Sequence, residues 1–224
     1  MEYQVTVNKF MLQNNLSHEK TDVLRYTIYY PHFESLKFTD YISQINDRLE
    51  AQARAYEQYV VERLYKVAVE EYQNSVTYGR PVSVFEIHMD YQVTFNQDCA
   101  LSLYFDQYEY TGGSYGRTNR FSNSWDIQEG KPIYFRDLLN EMPDYKEYVL
   151  EWVKNQIESQ LNRSEYYVYY SYAISEKFSE NNFYLTPEGI AIYFQERAIA
   201  PHASGLLIFT IPYSDPAVIR PMCQ

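Results

Sequence analysis

The chain has 224 residues, of which 46% are hydrophobic, and it carries a formal net charge of −11. This length and composition predict a globular protein with a buried core and exclude wholesale disorder. The acidic excess argues against binding to nucleic acid, which needs clustered Lys and Arg, and against docking on anionic lipid. An acidic chain can steer a basic partner towards itself, but charge alone does not identify that partner.

Tyrosine is the unusual residue, since the chain contains 26 of them and 18% of its residues are aromatic. A tyrosine side chain is apolar in its ring and polar at its tip, so it suits half-buried strands and recognition surfaces. Sheet faces lined with Tyr in place of Phe or Val are the simpler interpretation. A dedicated sugar- or protein-binding surface is the alternative.

The two cysteines, Cys99 and Cys223, belong to no CxxC motif and no Cys/His cluster. The sequence therefore predicts no metal site, and it suggests no cofactor. A buried thiol at Cys99 and a free thiol in the tail are favoured over a disulfide between them.

The N-terminus, MEYQVTVNKF, lacks the basic and apolar regions of a signal peptide. No apolar run approaches the ~20 residues of a membrane helix, so no membrane insertion is expected. The expected location is cytoplasmic if Met1 is the native start, and extracellular or cell-surface if the chain is a trimmed piece of a longer protein.

The first part of the chain predicts two strands. Alternating apolar and β-branched residues over 3–12 and 22–30 are typical of half-buried strands. Asn14-Asn15 suits the turn between them, and Pro31, which lacks an N–H donor, is expected to close the second strand.

One long helix is predicted from Thr39, a plausible N-cap, to about Gln73, because apolar residues recur three or four apart. The break Gly79-Arg80-Pro81 follows. A single amphipathic helix laid over a sheet is favoured, and a coiled-coil seam is the alternative.

Residues 82–95 and 99–110 both alternate and predict an antiparallel hairpin, joined at Asn96-Gln97-Asp98. A glycine-bearing bend and a strand holding Trp125 come next. A tight turn at residues 128–131 then leads to a short helical turn at Phe135–Leu139.

A second amphipathic helix is expected from Pro143 to about Asn162. The tyrosine-dense tract Ser164–Phe178 has no clear period and predicts either helix or irregular structure. Phe183–Leu185 and Gly189–Phe194 predict a hairpin, and Leu206–Pro212 predicts a buried strand. The predicted core face of the helix is Tyr148, Trp152, Gln156/Ile157 and Leu161.

This order of elements, without strand–helix–strand alternation, indicates an α+β fold. We expect antiparallel sheets packed with one long N-terminal helix and a second amphipathic helix. The predicted division is an N-terminal α+β subdomain over residues 1–80 and a C-terminal one over residues 81–224, together forming one compact unit.

Several motifs resemble the RsiV-like family, the extracellular part of a lysozyme-sensing anti-sigma factor. They are Tyr110-Thr111-Gly112-Gly113-Ser114-Tyr115-Gly116, Ser124-Trp125-Asp126-Ile127, the run FYLTPEGIAIYF, Ala200-Pro201-His202-Ala203-Ser204-Gly205, Tyr29-Tyr30-Pro31 and Ile45-Asn46. The same domain pair, both parts of unknown function, accompanies some peptidoglycan deacetylases. The resemblance spans nearly the whole chain.

The resemblance implies a two-part α+β module that binds a protein or wall fragment and catalyses nothing. Three positions depart from the family pattern, because Tyr115 stands where the family has His, and Arg197 and His202 stand where it has Tyr. The chain shows no sigma-binding segment or membrane span, so an anti-sigma role is not expected, and lysozyme binding is inherited only by analogy.

Two sets of residues are candidates for catalysis. Glu86, His88 and Asp90 alternate along one strand and so share a face, which suits acid–base chemistry or a metal, but an exposed polar strand face has the same pattern. Asp126 is the best single acid, although capping of the adjacent turn is the favoured interpretation. The glycines of the 112–116 bend are not followed by a helix, so a hairpin loop is favoured over an anion site.

The hypothesis from these residues is a non-enzymatic binding module with no catalytic and no metal-binding residues. Its expected partner is a basic lysozyme-like protein or a cell-wall glycan. The alternatives are an enzyme acting on wall glycan and a structural protein that associates with itself along the long helix; the oligomeric state stays open. The predicted partner-binding residues are Tyr110, Thr111, Gly112, Gly113, Ser114, Tyr115, Arg197, Pro201 and His202.

Overall fold

The computed structural model describes residues 4–140, 142–161 and 173–223. Within these ranges the strands form a six-stranded and a three-stranded sheet, each ordered as in the chain. The α+β class predicted from the sequence is confirmed. The larger sheet contains β1 (Thr6–His18), β2 (Thr21–Glu34), β3 (Phe85–Gln97), β4 (Ala100–Tyr110), β5 (Arg117–Asp126) and β6 (Lys131–Pro132), and the smaller contains β7 (Phe183–Leu185), β8 (Gly189–Phe194) and β9 (Leu207–Pro212).

The chain divides into two compact units. We call Val5–Tyr91 with Phe105–Asn119 the helix unit, and Met1–Gln4, Gln92–Tyr104 and Arg120–Gln224 the C-terminal unit. Both β3 and β4 contribute residues to each unit. The sequence-based division at residues 80 and 81 stays a prediction.

The hairpin of β1 and β2 turns at Glu19 and Lys20, whose φ values of 49° and 70° are those of a tight two-residue turn. The turn predicted at Asn14-Asn15 is wrong, because these residues lie inside β1 opposite Tyr26 and Arg25. The alternation of buried and exposed residues along β2 fixes its register with β1. Asn14 and Asn15 can lie within β1 because both are exposed.

Pro31 does not close β2, which runs on to Glu34 with Pro31 opposite Lys9. The pairing of β2 with β3 ends at Ile28, so beyond that point β2 has β1 as its one neighbouring strand. A strand with one open side tolerates a residue that lacks an N–H donor.

The pairing of β2 with β3 is parallel, from Leu24 opposite Phe85 to Ile28 opposite Met89. The expectation of no strand–helix–strand unit is therefore wrong at this point. A parallel pair needs a long crossover, and the helical run between the two strands supplies it. Polar and apolar residues can alternate in the same way along parallel and antiparallel strands. The sequence pattern therefore did not indicate that β2 and β3 run in the same direction.

The long helix comprises α1 (Thr39–Tyr59), a π-helical segment (Val60–Leu64) and α2 (Tyr65–Thr77). It packs against β2, which confirms the helix laid over a sheet. Thr39 is the first helical residue and not the cap. The hydroxyl of Ser35 accepts the N–H groups of Lys37 and Phe38 just before the helix begins. Helical residues at the predicted three- and four-residue spacing are buried, namely Ile42, Ile45, Leu49, Ala53, Tyr56, Val60 and Leu64.

Asn46 joins this helix to β2 through its side-chain amide. Its Oδ1 accepts the backbone N–H of Phe33 at 2.8 Å, and its Nδ2 donates to the carbonyl of Phe33 at 2.8 Å. Asn46 is only 9% exposed. The amide thus pairs with a backbone position of β2 that β3 does not reach.

We predict that Asn46→Ala lowers the free energy of unfolding by about 2–4 kcal/mol, because it leaves a buried N–H and a buried carbonyl without partners. Urea-induced unfolding followed by circular dichroism measures this loss. Asn46→Asp is the matched variant, since it keeps the acceptor but places a carboxylate oxygen against the Phe33 carbonyl, and at pH 7 it should be at least as unstable as Asn46→Ala. Equal stability of Asn46→Ala and the native chain would contradict the prediction.

The core of the C-terminal unit forms where α3 (Tyr145–Leu161) contacts the three-stranded sheet. The predicted core face is confirmed at Ile157, which is buried, but Val149 and Val153 are buried in place of the predicted Tyr148 and Trp152. Trp152 is half-buried, and its indole N–H donates to the carbonyl of Thr210 at 3.1 Å. The large amphipathic side chains of Tyr148 and Trp152 thus pack against the core, and the smaller apolar ones of Val149 and Val153 lie within it.

The hairpin of β7 and β8 is confirmed, and so is a final strand, β9. The prediction that this strand is fully buried is wrong, because only one of its faces is buried and Ile208 is 41% exposed. Most of the tract Ser164–Phe178 lies outside the described residues, as does the side chain of Leu161. Its described end contains the short helix α4 (Ala173–Lys177).

Cys99 and Cys223 form a disulfide, with their Cα atoms 5.1 Å apart and 124 residues between them in sequence. The prediction of two free thiols is wrong. Cys99 lies in the turn between β3 and β4, with φ 60°, and not within a strand. The tail comes to it because the N–H of Ile219 donates to the carbonyl of Leu138 at 2.8 Å. Sequence separation gave no sign of this proximity.

We predict that Cys223→Ser lowers the free energy of unfolding by about 2–4 kcal/mol, because the unfolded chain then loses the constraint of a very long closed loop. Urea unfolding with and without dithiothreitol measures the effect. Reductant should shift the midpoint of the native chain and leave that of Cys223→Ser unchanged. A native midpoint that reductant does not move would sink the prediction.

Candidate functional site

The glycine loop, residues 110–116, connects β4 to β5. Gly112 and Gly113 both have φ 93°, a conformation that side chains with a Cβ rarely adopt. The hydroxyl of Tyr110 donates to the carbonyl of Gly113 at 3.1 Å. A strand follows the loop and not a helix, so the predicted hairpin loop is confirmed. Tyr115 is 57% exposed.

Gly116 holds the loop close to β4. A Cβ at this position would lie 2.4 Å from the ring of Tyr108, so only glycine fits without displacing that ring. The glycine loop and the ring of Tyr108 are therefore positioned together.

A cavity of about 670 Å³ lies beside Tyr108 in the helix unit. We call it the polar groove. Its lining residues from β1, β2 and β3 come from paired positions, because Asn15 lies opposite Arg25 and Arg25 lies opposite Glu86. The residues that line it through polar side chains include Gln13, Asn15, Arg25, Glu86, His88 and Tyr108.

The polar groove occupies the outer face of the sheet. Arg25 and His88 are exposed, whereas the intervening residues Tyr26 and Ile87 are buried. Side chains alternate between the two faces of a strand, so the helix covers one face and the groove lies on the other. Glu86 and His88 were candidates from the sequence, but the groove itself has no local sequence signal, because its strands come together only through the parallel pairing.

Charges on this face are paired. Arg25 donates a hydrogen bond to Glu86, and Lys9 Nζ lies 2.9 Å from Asp90 Oδ1. Lys9 also lies 3.8 Å from the centre of the Tyr29 ring, whose edge meets His88. The predicted catalytic trio Glu86, His88 and Asp90 is thus divided among separate partners.

Beneath the groove, Tyr26 turns towards the helix, and its hydroxyl donates to Glu57 Oε1 at 2.8 Å. Burial and the adjacent Glu57 carboxylate raise the pKa of Tyr26 to about 12, because both disfavour a phenolate. The pKa of Tyr56 is also raised, by burial and by Glu109, to which its hydroxyl donates at 3.0 Å. These neutral tyrosines bind the helix to the sheet.

We predict that Tyr26→Phe lowers the free energy of unfolding by about 1 kcal/mol at pH 7, by removing the hydrogen bond to Glu57. A raised folded-state pKa gives stability that is fully present below pH 10 and lost as pH rises towards 12. The difference between the native chain and Tyr26→Phe should therefore shrink as the pH rises from 10 to 12.

Urea unfolding at both pH values measures this difference. Tyr78→Phe, on a side chain that is 73% exposed, controls for general effects of removing a hydroxyl. A difference for Tyr26→Phe that stays constant across this interval would contradict the assignment.

The other predicted partner-binding loop, which contains Arg197, Pro201 and His202, belongs to the C-terminal unit. Arg197 is exposed and has φ 63°, and Pro201 precedes a short 3-10 turn at His202–Ser204. His202 Nδ1 lies 3.5 Å from Glu196 Oε2. The predicted residues Arg197, Pro201 and His202 thus lie in one loop of the C-terminal unit. The predicted residues Tyr110–Tyr115 lie in the glycine loop of the helix unit.

The C-terminal unit also contains a buried cation that the sequence analysis missed. Arg120 is 7% exposed, and its guanidinium lies 3.6 Å from the centre of the Tyr104 ring. Tyr184 and Tyr193 stack beside it, each 5.9 Å from the guanidinium. Cation–π contacts with these rings stabilise such a charge. Three of the many tyrosines thus have a structural role.

Asp126 caps the turn after β5, as the favoured interpretation predicted. Its Oδ1 accepts the N–H groups of Gln128 and Glu129, both at 2.9 Å. In the described part of the chain no three His, Cys, Asp or Glu side chains group as a metal site would require. None of the described helices is long and apolar enough to cross a membrane.

Two family models match the chain. Residues 17–118 match the model described as "Deacetylase PdaC", and residues 136–214 match "Protein of unknown function (DUF3298)". Two successive stretches of the chain are thus each similar to a different family model. These two matches are compatible with the paired-domain description predicted from the sequence, and the RsiV-like name stays a prediction. No curated protein matches the chain at a significant level.

Two solved structures support the fold of the paired segments. A member of the DUF3298 family from Bacteroides fragilis has a TM-score of 0.73 at 17% identity, covering 99% of this chain and 96% of that chain. A DUF3298 family protein from Pseudomonas aeruginosa has a TM-score of 0.62 at 13% identity, covering 98% of this chain and 99% of that chain. At these identities the likeness concerns the fold alone.

Proposed function

We propose that this chain is a non-enzymatic binding module of the cell envelope, which recognises a basic lysozyme-like protein or a cell-wall glycan. The observation that carries the proposal is the glycine loop. Two glycines with positive φ and the close contact of Gly116 with Tyr108 hold the loop and leave Tyr115 57% exposed. Exposed tyrosines on a fixed backbone are common anchors of recognition surfaces.

Charge and compartment support the same proposal. A net charge of −11 favours association with a basic protein. The Cys99–Cys223 disulfide fits an oxidising compartment, because such bonds are rare in the reducing cytosol. We therefore favour an extracellular or cell-surface location over a cytoplasmic one. The PdaC and DUF3298 segments are compatible with an envelope role.

The Arg197–His202 loop of the C-terminal unit is the second proposed contact region. Its exposed Arg197 contributes a cation, while the glycine loop contributes aromatic surface. Arg197→Ala tests this region separately, because it leaves the glycine loop unaltered.

We predict that hen lysozyme binds the native chain and that binding weakens at least about tenfold in Gly113→Val and Tyr115→Ala, as expected when a central anchor is lost. Isothermal titration calorimetry at low and high salt measures this, and affinity should fall as salt screens the charges. Tyr78→Ala is the matched control, since Tyr78 is an exposed tyrosine outside both loops. Absence of binding at high micromolar concentration would refute lysozyme as the partner.

A further inference from the structure

We infer that the polar groove is a binding site for an uncharged polysaccharide chain. The inference rests on the proposed binding role and deepens it, because it names the ligand class and a surface next to the glycine loop.

The first observation is that the groove is electrically balanced. Its cation, Arg25, is paired with its carboxylate, Glu86, and the neighbouring Lys9 is paired with Asp90. In a chain with net charge −11, such a lining offers neither excess positive charge for a polyanion nor excess negative charge for a basic peptide. An uncharged ligand suits it better.

The second observation is the density of groups that form hydrogen bonds in two directions. The amides of Gln13 and Asn15 both donate and accept, Arg25 donates, and Glu86 accepts. Sugar hydroxyls also donate and accept, and neighbouring hydroxyls match planar amide, guanidinium and carboxylate groups. A purely apolar ligand would leave these groups without partners.

The third observation is the fixed aromatic ring. Tyr108 lines the groove, and the absence of a side chain at Gly116 lets its ring pack against the loop. An aromatic ring held in this way can stack on the apolar face of a sugar ring while its hydroxyl stays polar. Fixing the ring before binding reduces the entropy lost on association.

The dimensions favour a chain over a single sugar. The cavity of about 670 Å³ falls within the ~300–1,000 Å³ of typical ligand sites. Its lining comes from four strands, which at ~4.8 Å spacing extend on the order of 15 Å across the sheet. This length accommodates more than one pyranose ring.

The test is a titration of the native chain with cellohexaose and chitohexaose, followed by NMR and by calorimetry at low and high salt. We expect binding of at least one hexaose, with an affinity that salt changes less than about twofold, since no net charge is neutralised. Amide signals of β1, β2 and β3 should shift. No binding of either hexaose at millimolar concentration, or shifts confined to other elements, would overturn the inference.

The variants Arg25→Ala and Tyr108→Ala should each weaken hexaose binding at least about tenfold, because each removes a central contact. Arg54→Ala is the matched control, since Arg54 is another exposed arginine of the helix unit, paired with Glu50 and Glu57. Unchanged hexaose binding in Arg25→Ala and Tyr108→Ala would also overturn the inference.

Hexaose and lysozyme titrations separate this inference from the proposed protein partner. Tyr115→Ala should weaken lysozyme binding and leave hexaose binding unchanged, while Arg25→Ala should do the reverse. Hexaose binding without lysozyme binding would support the groove and refute the protein partner. Lysozyme binding without hexaose binding would refute the groove alone.

Discussion

The parallel pairing of β2 and β3 is the constraint on which the helix unit depends. The chain leaves β2 at Glu34 and must return to the opposite end before β3 begins at Phe85. A helix over Thr39–Thr77, on the order of 58 Å long at ~1.5 Å per residue, makes this return. Because the helix covers one face of the sheet, the other face remains open and the polar groove lies there.

Buried polar groups then determine how separate elements align with one another, which apolar packing leaves undetermined. The amide of Asn46 completes the backbone hydrogen bonding of Phe33, which lies beyond the last residue of β2 that pairs with β3. In the C-terminal unit, the buried hydroxyl of Ser102 lies 2.7 Å from that of Ser124 and accepts the N–H of Leu185 at 2.9 Å. Such groups are costly to bury unless every partner is present, so each admits few alternative arrangements.

The glycine loop joins this scaffold to the proposed function. Its conformation depends on glycines with positive φ, and its contact with Tyr108 depends on the missing Cβ of Gly116. One short loop therefore positions both an exposed tyrosine and a ring of the polar groove. The proposed protein-binding and glycan-binding roles share this support, although separate side chains carry them.

The sequence by itself determined the elements and most of their faces, because periodicity, glycine and proline act locally. The long helix, the hairpin of β7 and β8, the glycine loop and the cap of Asp126 followed from such signals. The tertiary structure alone decided the parallel pairing, the Cys99–Cys223 disulfide and the burial of Arg120, because each joins residues distant in the chain. The tertiary structure alone also decided the polar groove, since strands from separate stretches of the chain form it. Local sequence patterns do not indicate which strands become neighbours in a sheet.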